Sequence, residues 1–274
     1  MSSLSEPKKR RSAAFTELLA IFLHLDHRLP LLEASAFLFF SVVLLFSSVS
    51  NGDESSAFSY MVGPAGISLT SLILVVLILK NVASGWGNDF EKGTMQTFLT
   101  YPLSRGKAFL ARVVSSLLVP LGLLTLAQFS VVFLIAPGFA LARFGSLLLG
   151  FLASLTTPLL IAALVVLAVL WAKSGGVPFA LGLVAYFSIL IFSSLLLSIG
   201  YSAGYPNLVW ATFFLNPAYA FSSYFGSRSG WIGIGYNVPV PTYSQAVGLL
   251  TANLLFSLAL LAVGALLFVK RAEA

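Results

Sequence analysis

Cysteine is absent from the chain, which excludes a disulfide framework, a thiolate-held zinc or iron–sulfur site and a cysteine nucleophile. Charge is scarce as well: Asp, Glu, Lys and Arg make up 9% of the residues, against roughly 25% in soluble domains. Histidine occurs only as His24 and His27, with no carboxylate and histidine cluster around them to complete a metal site, and Met61 and Met95 are too few for a copper path. There is no Gly-x-Ser-x-Gly elbow, no His-Glu-x-x-His pair and no Walker A glycine loop. The chain is therefore not expected to be an enzyme or to hydrolyse ATP by itself. No acid or base lies near the middle of an apolar run, which argues against an ion-coupled carrier, where such groups relay or hold the ion.

What is present is apolar. Of the 274 residues 58% are hydrophobic, and the mean hydropathy is +0.98. A membrane-crossing helix needs about 20 apolar residues, whereas a membrane β-barrel alternates in segments of about ten. The runs here are continuous and roughly 20 residues or longer. The expected fold is an all-α polytopic membrane protein with six spans, at about residues 31–50, 60–82, 108–135, 144–171, 177–200 and 245–269. These form one transmembrane domain, 31–269, and Pro120 and Pro158 are expected to kink the third and fourth spans.

Residues 1–30 read as a basic tail and an interfacial helix. Lys8, Lys9, Arg10 and Arg11 fall in a stretch, 1–11, expected to be disordered. The apolar stretch 13–25 is too short to span. Phe15, Leu18, Leu19, Phe22 and Leu25 share one helical face, and Glu17, His24 and Arg28 share another, the pattern of a helix lying in the membrane surface. Those polar residues and Asp26 also interrupt what a cleaved signal would keep apolar.

With the N-terminus inside, thirteen of the fifteen basic residues, including Arg28, Lys80, Lys92, Arg105, Lys107, Arg112, Lys173 and Lys270, fall on the cytoplasmic side, and only Arg143 and Arg228 fall outside. The basic balance thus marks membrane orientation, not nucleic-acid binding. A multi-pass protein of the cell membrane is expected, with both termini, including the tail 270–274, cytoplasmic. Residues 201–244 hold twelve aromatic residues and four prolines, too aromatic for a solvated linker. They are expected to form a re-entrant or surface-lying pair of short helices on the outer face, turning at Asn216-Pro217.

The longest charged stretch between spans reads Asn88-Asp89-Phe90-Glu91-Lys92-Gly93-Thr94 and continues through Phe98-Leu99 and Pro102 to Arg105 and Arg112. Asn88 and Glu91 make a helix-start signature, and a proline ends a helix at the residue before it, so one helix of about three turns is expected over 88–101. Gly93 inside it costs about 1 kcal/mol relative to alanine, which suggests that something approaches the backbone there.

The string Glu91-x-Gly93-Thr94, then Leu99, Pro102, Ser104-Arg105 and Arg112, together with the six-helix layout, resembles the permease subunits of type-2 ATP-binding-cassette (ABC) exporters. The resemblance implies that 88–101 is a coupling helix, with Asn88, Asp89, Glu91, Gly93, Thr94, Phe98, Pro102, Arg105 and Arg112 at the joint with a separate ATPase subunit. That subunit would carry the ATP and Mg, and this chain would bind no cofactor. A second permease subunit, identical or not, would complete the transporter. By the same resemblance the path for an apolar or amphipathic cargo runs past Ser68, Ser71, Phe187, Ser188 and Ser194. An outer gate would involve Tyr205, Trp210, Asn216, Pro217, Tyr219 and Trp231. A non-transporting membrane scaffold or assembly protein, and an uncoupled carrier or channel, are the alternatives.

Overall fold

The computed structural model describes residues 6–28, 64–135, 137–228 and 240–271, and between the first two stretches Glu33, Ser35, Ala36, Leu38, Phe39, Val42 and Val43. The described residues are helical throughout, with no strand among them. Helix α1 is Glu6–Asp26. Helix α2 starts as Pro64–Ile78, widens to a π-helix over Leu79–Trp86 and closes as Gly87–Glu91. The short α3 is Thr94–Leu99. Helix α4 starts as Arg105–Val113, widens over Val114–Leu118 and continues as Val119–Ile135. There follow α5 (Pro137–Ala142), α6 (Phe144–Ala172), α7 (Gly176–Ala203), α8 (Pro206–Leu215), α9 (Pro217–Arg228) and α10 (Tyr243–Arg271).

Five of these, α2, α4, α6, α7 and α10, are long and apolar enough to cross a membrane, which makes this a multi-pass membrane protein. The first expected span, 31–50, lies mostly outside the described residues; the seven of its positions that are described are helical. At the N-terminus the expected disordered tail is corrected: α1 already begins at Glu6. Pro7 sits in its first turn, where no backbone donor is needed, and the Lys and Arg that follow are good helix formers. Ala14, Leu18, Phe22 and Asp26, four residues apart, are its buried stripe.

Helix α6 is the centre of the bundle. Ile161, Ala162, Ala163, Val165, Val166 and Val169 are completely buried in it, and α2, α7, α9 and α10 pack around it. Its Pro158 cannot donate to the carbonyl four residues back, that of Ser154. In lipid such an orphan carbonyl needs another donor, and the Ser71 hydroxyl of α2 supplies it at 2.9 Å. Ser71 thus ties α2 to α6 at the proline. Ser71→Ala is expected to lose about 1–3 kcal/mol, the cost of an unsatisfied buried acceptor. In a Pro158→Ala background, where the Ser154 carbonyl regains a backbone donor, the same change should cost only a few tenths, as a double-mutant cycle of thermal unfolding in detergent would show.

At the end opposite the charged residues, α8 and α9 form a helical hairpin broken at Asn216, whose backbone is extended (φ −139°, ψ 91°). The break is buried, and the Asn216 side-chain oxygen accepts from the Ala218 amide at 3.3 Å and from the Thr157 hydroxyl at 3.4 Å. Thr157 lies near the midpoint of the 29-residue α6, about 20 Å from its first residue at 1.5 Å per residue. The hairpin tip therefore reaches mid-bundle depth. Phe213 and Phe221, both fully buried, sit in two apolar clusters, the first drawn from α8, α9 and α10 and the second from α4, α5, α6, α9 and α10.

Candidate functional site

Most of the charge in the described bundle gathers at one end, Arg143 standing at the other end of α6, and there four helices are tied to the segment between α2 and α4. Arg112 is the hub. It is 2% exposed, with Nη2 on Asp89 Oδ2 at 2.5 Å and Nη1 3.2 Å from Asp26 Oδ1. Its guanidinium lies over the Phe22 ring, 4.6 Å from the centroid, an attraction between cation and ring face. One residue of α4 thereby joins α1 to the end of α2. The Ser115 hydroxyl donates to the second Asp26 oxygen at 2.6 Å. Burial pushes the Asp26 carboxyl above its ordinary range, and Arg112, Ser115 and His27 draw it back only in part.

A second network follows from Pro120. Over the widened turns of α4 the hydrogen bonds run to the fifth residue back, as from the Val119 amide to the Val114 carbonyl. The next bond in that series would join residue 120 to the Ser115 carbonyl, and proline cannot make it. His27 Nε2 donates to that carbonyl at 2.9 Å instead. A carbonyl only accepts, so Nε2 carries a proton. Nδ1 meets Glu33 Oε2 at 2.6 Å, and Lys80 Nζ meets the other oxygen at 2.5 Å, with a further bond to the Asp26 carbonyl at 3.0 Å. Proline creates the vacancy, and a histidine at the end of α1 fills it.

The segment 88–101 differs from the single helix expected of it. Helix α2 runs without interruption through Asn88 to Glu91, so Asn88 is interior to a helix and starts none. The chain then reverses at Lys92-Gly93 before α3. Gly93 has φ +72°, a left-handed conformation that suits glycine. No atom lies within 4 Å of where its Cβ would stand. Within this chain Gly93 is thus required for the turn, and no close neighbour explains it. The Thr94 hydroxyl bridges the turn to the Asp89 carbonyl at 3.3 Å. Pro102, exposed, makes the corner into α4, and Arg105 reaches the Val269 carbonyl near the end of α10 at 3.4 Å.

Glu91 has a partner in the chain. Its Oε1 accepts from the Gly175 amide at 3.0 Å, at the first turn of α7, where a negative charge suits the exposed amides. The two backbones nearly touch there: a Cβ on Gly87 would stand 2.3 Å from Gly175 Cα. Met95 is buried and Phe98 packs edge-on to Phe22 at 5.0 Å, so the apolar face of α3 turns inward. Gln96, Thr97 and Thr100 face out.

The other expected site residues are spread through the bundle. Ser68 lies in α2, and its side chain is outside the described residues. Phe187 and Ser194 are on the exposed face of α7, with Ser188 half-buried beside them, and the Ser194 hydroxyl is 3.0 Å from that of Tyr219. These do not meet Ser71 within one chain. Of the outer residues, Asn216 and Pro217 are buried at the hairpin tip, Trp210 and Tyr219 are half-buried, and Tyr205 is exposed; Trp231 lies outside the described residues. The sequence reading missed Asp26, His27, Glu33, Lys80 and Gly175. The available signal was Glu33 and Lys80, two opposite charges set at the edges of apolar runs, where each needs a partner.

Compared with known proteins, the chain matches no family model and no curated sequence.

Proposed function

We propose that this chain is the membrane-spanning permease subunit of an ABC-type exporter, driven by a separate ATPase subunit that docks on α3. The supporting observation is the joint itself. A short helix presents Gln96, Thr97 and Thr100 outward, and it and the residues flanking it touch four other elements: Asp89 is bonded to α4 through Arg112, Glu91 to α7 and Arg105 to α10, and Phe98 packs on α1. A displacement applied to α3 is carried into the bundle through those contacts, as a coupling element requires. In this reading the charged end is cytoplasmic in the cell membrane, ATP and Mg stay on the partner, and two permease subunits enclose a path for an apolar or amphipathic molecule. The exposed face of α7 would line the seam between them.

The test uses Gln96→Trp and Thr97→Arg, both on the outward face. Each is expected to leave thermal unfolding within about 0.5 kcal/mol of the wild type and to lower capture of the co-expressed Walker-motif ATPase on the order of tenfold or more, as loss of a central interface residue does. Glu91→Lys is a poorer probe, because it also removes the acceptor of the Gly175 amide. Undiminished capture and transport in both outward-face variants would return the chain to the scaffold reading.

A further inference from the structure

Beside the joint, the described residues enclose an open cavity of about 850 Å³ along one face of α2. One wall is a helical stripe of α2. Leu72, Ile73, Val76 and Leu77 are apolar, and the stripe then turns polar at Lys80, Ser84 and Asn88. The apolar part and Lys80 span roughly 12 Å of helix, well within one leaflet of a hydrocarbon core about 30 Å thick. The polar end is lined by four cations, Arg28, Lys80, Lys92 and Arg112, and three acids, Asp26, Glu33 and Asp89. All three acids are engaged: Arg112 holds Asp26 and Asp89, and Lys80 and His27 hold Glu33. Arg28 and Lys92 are exposed and make no ion pair among the described residues.

We propose that this groove holds one anionic phospholipid of the leaflet at the charged end. Its acyl chains lie along Leu72, Ile73, Val76 and Leu77, and its phosphate sits between Arg28 and Lys92. An apolar concavity in the plane of the hydrocarbon is filled by acyl chains whatever the headgroup, so the two uncommitted cations decide which lipid stays. Arg28 lies two residues past the end of α1 and Lys92 directly precedes the Gly93 turn, so the bound headgroup bridges the interfacial helix and α3. The proposal requires only that the apolar helices lie in a bilayer, and it stands or falls apart from any ATPase.

The test is retention by the full-length protein, purified from vesicles of equal phosphatidylglycerol and phosphatidylcholine and read by native mass spectrometry. Near a membrane surface two basic residues favour an anionic lipid roughly 20- to 30-fold, so a strong excess of retained phosphatidylglycerol is expected, about one per chain. Arg28→Gln with Lys92→Gln should bring the retained ratio close to that of the vesicles. Lys107→Gln with Lys270→Gln, an equal loss of charge outside the groove, should leave the excess intact. Val76→Trp should lower retention of both lipids. Equal retention of the two lipids by the wild type, or an unchanged excess in the Arg28 and Lys92 variant, would overturn the assignment. So would displacement of the lipid by soluble glycerol phosphate, or a chain-to-chain crosslink at Val76→Cys that added lipid does not suppress.

Discussion

Replacing Arg112 by methionine is expected to cost about 3–5 kcal/mol of stability, the range seen when one partner of a buried ion pair is removed. The size follows from what is left behind. Asp26 is 4% exposed and Asp89 is half-buried, and both would lose the cation between them. Phe22 would lose the guanidinium over its ring. The sign of the pH effect is determined by burial, which already raises the Asp26 carboxyl. An acid raised in the folded state is tolerated when protonated and penalised when ionised. The variant should therefore recover part of its deficit as pH falls through that raised titration, and lose it again at neutral pH. Asp26→Asn and Asp89→Asn in the same variant should restore most of the loss, because no buried charge then lacks a partner. Thermal unfolding in detergent reads all three results. Wild-type stability for Arg112→Met at neutral pH would mean that water reaches both carboxylates.

The second large effect is expected at Gly87, where alanine should cost about 1–3 kcal/mol or more through overpacking. Its Cβ would meet Gly175 Cα at 2.3 Å, and Gly175 N and the Ser174 carbonyl oxygen at 2.6 Å. All three are backbone atoms, so no rotamer change makes room. Relief requires moving the turn before α7, which breaks the bond from the Gly175 amide to Glu91 and shifts α7 relative to α2. Gly106→Ala, in the first turn of α4 with open space around it, should instead be neutral or gain a few tenths of a kcal/mol from its better helix propensity. If Gly87→Ala melts with Gly106→Ala and not well below it, the two backbones do not meet as closely as described.

Much of the architecture was legible without coordinates. Lipid leaves a spanning segment few options other than a helix, because every backbone group must be satisfied within it. Run length alone therefore locates α4, α6, α7 and α10 to within a few residues, and the Asn216-Pro217 break announces the hairpin of α8 and α9. Basic residues at the ends of successive runs place Lys80, Lys92, Arg105 and Lys173 at one end, where the contacts among Arg112, Glu91, Gly175 and Val269 also gather. Helix continuity was harder to read. Asn88 looks like a start because a side-chain cap and an exposed interior asparagine leave the same mark in a sequence; α2 passes through it because Trp86 and Gly87 remain buried against the bundle.

What the sequence determined by itself is the set of apolar helices and the sorting of charge to one end, since both depend on burial energies that each segment carries locally. Pairing was decided only by the tertiary structure. A proline tells that a carbonyl is freed, but not that His27 will take the one at Ser115 and Ser71 the one at Ser154. An arginine at a span edge tells that an acid is wanted, but not that Asp26 and Asp89 will share it. Those choices join residues far apart in the chain, and the side chains that bring them together are mostly leucine, valine and alanine, whose apolar surfaces pack equally well against many partners. Helical period reveals which face such residues bury. Which helix they bury it against depends on shape, and shape exists only once the bundle has assembled.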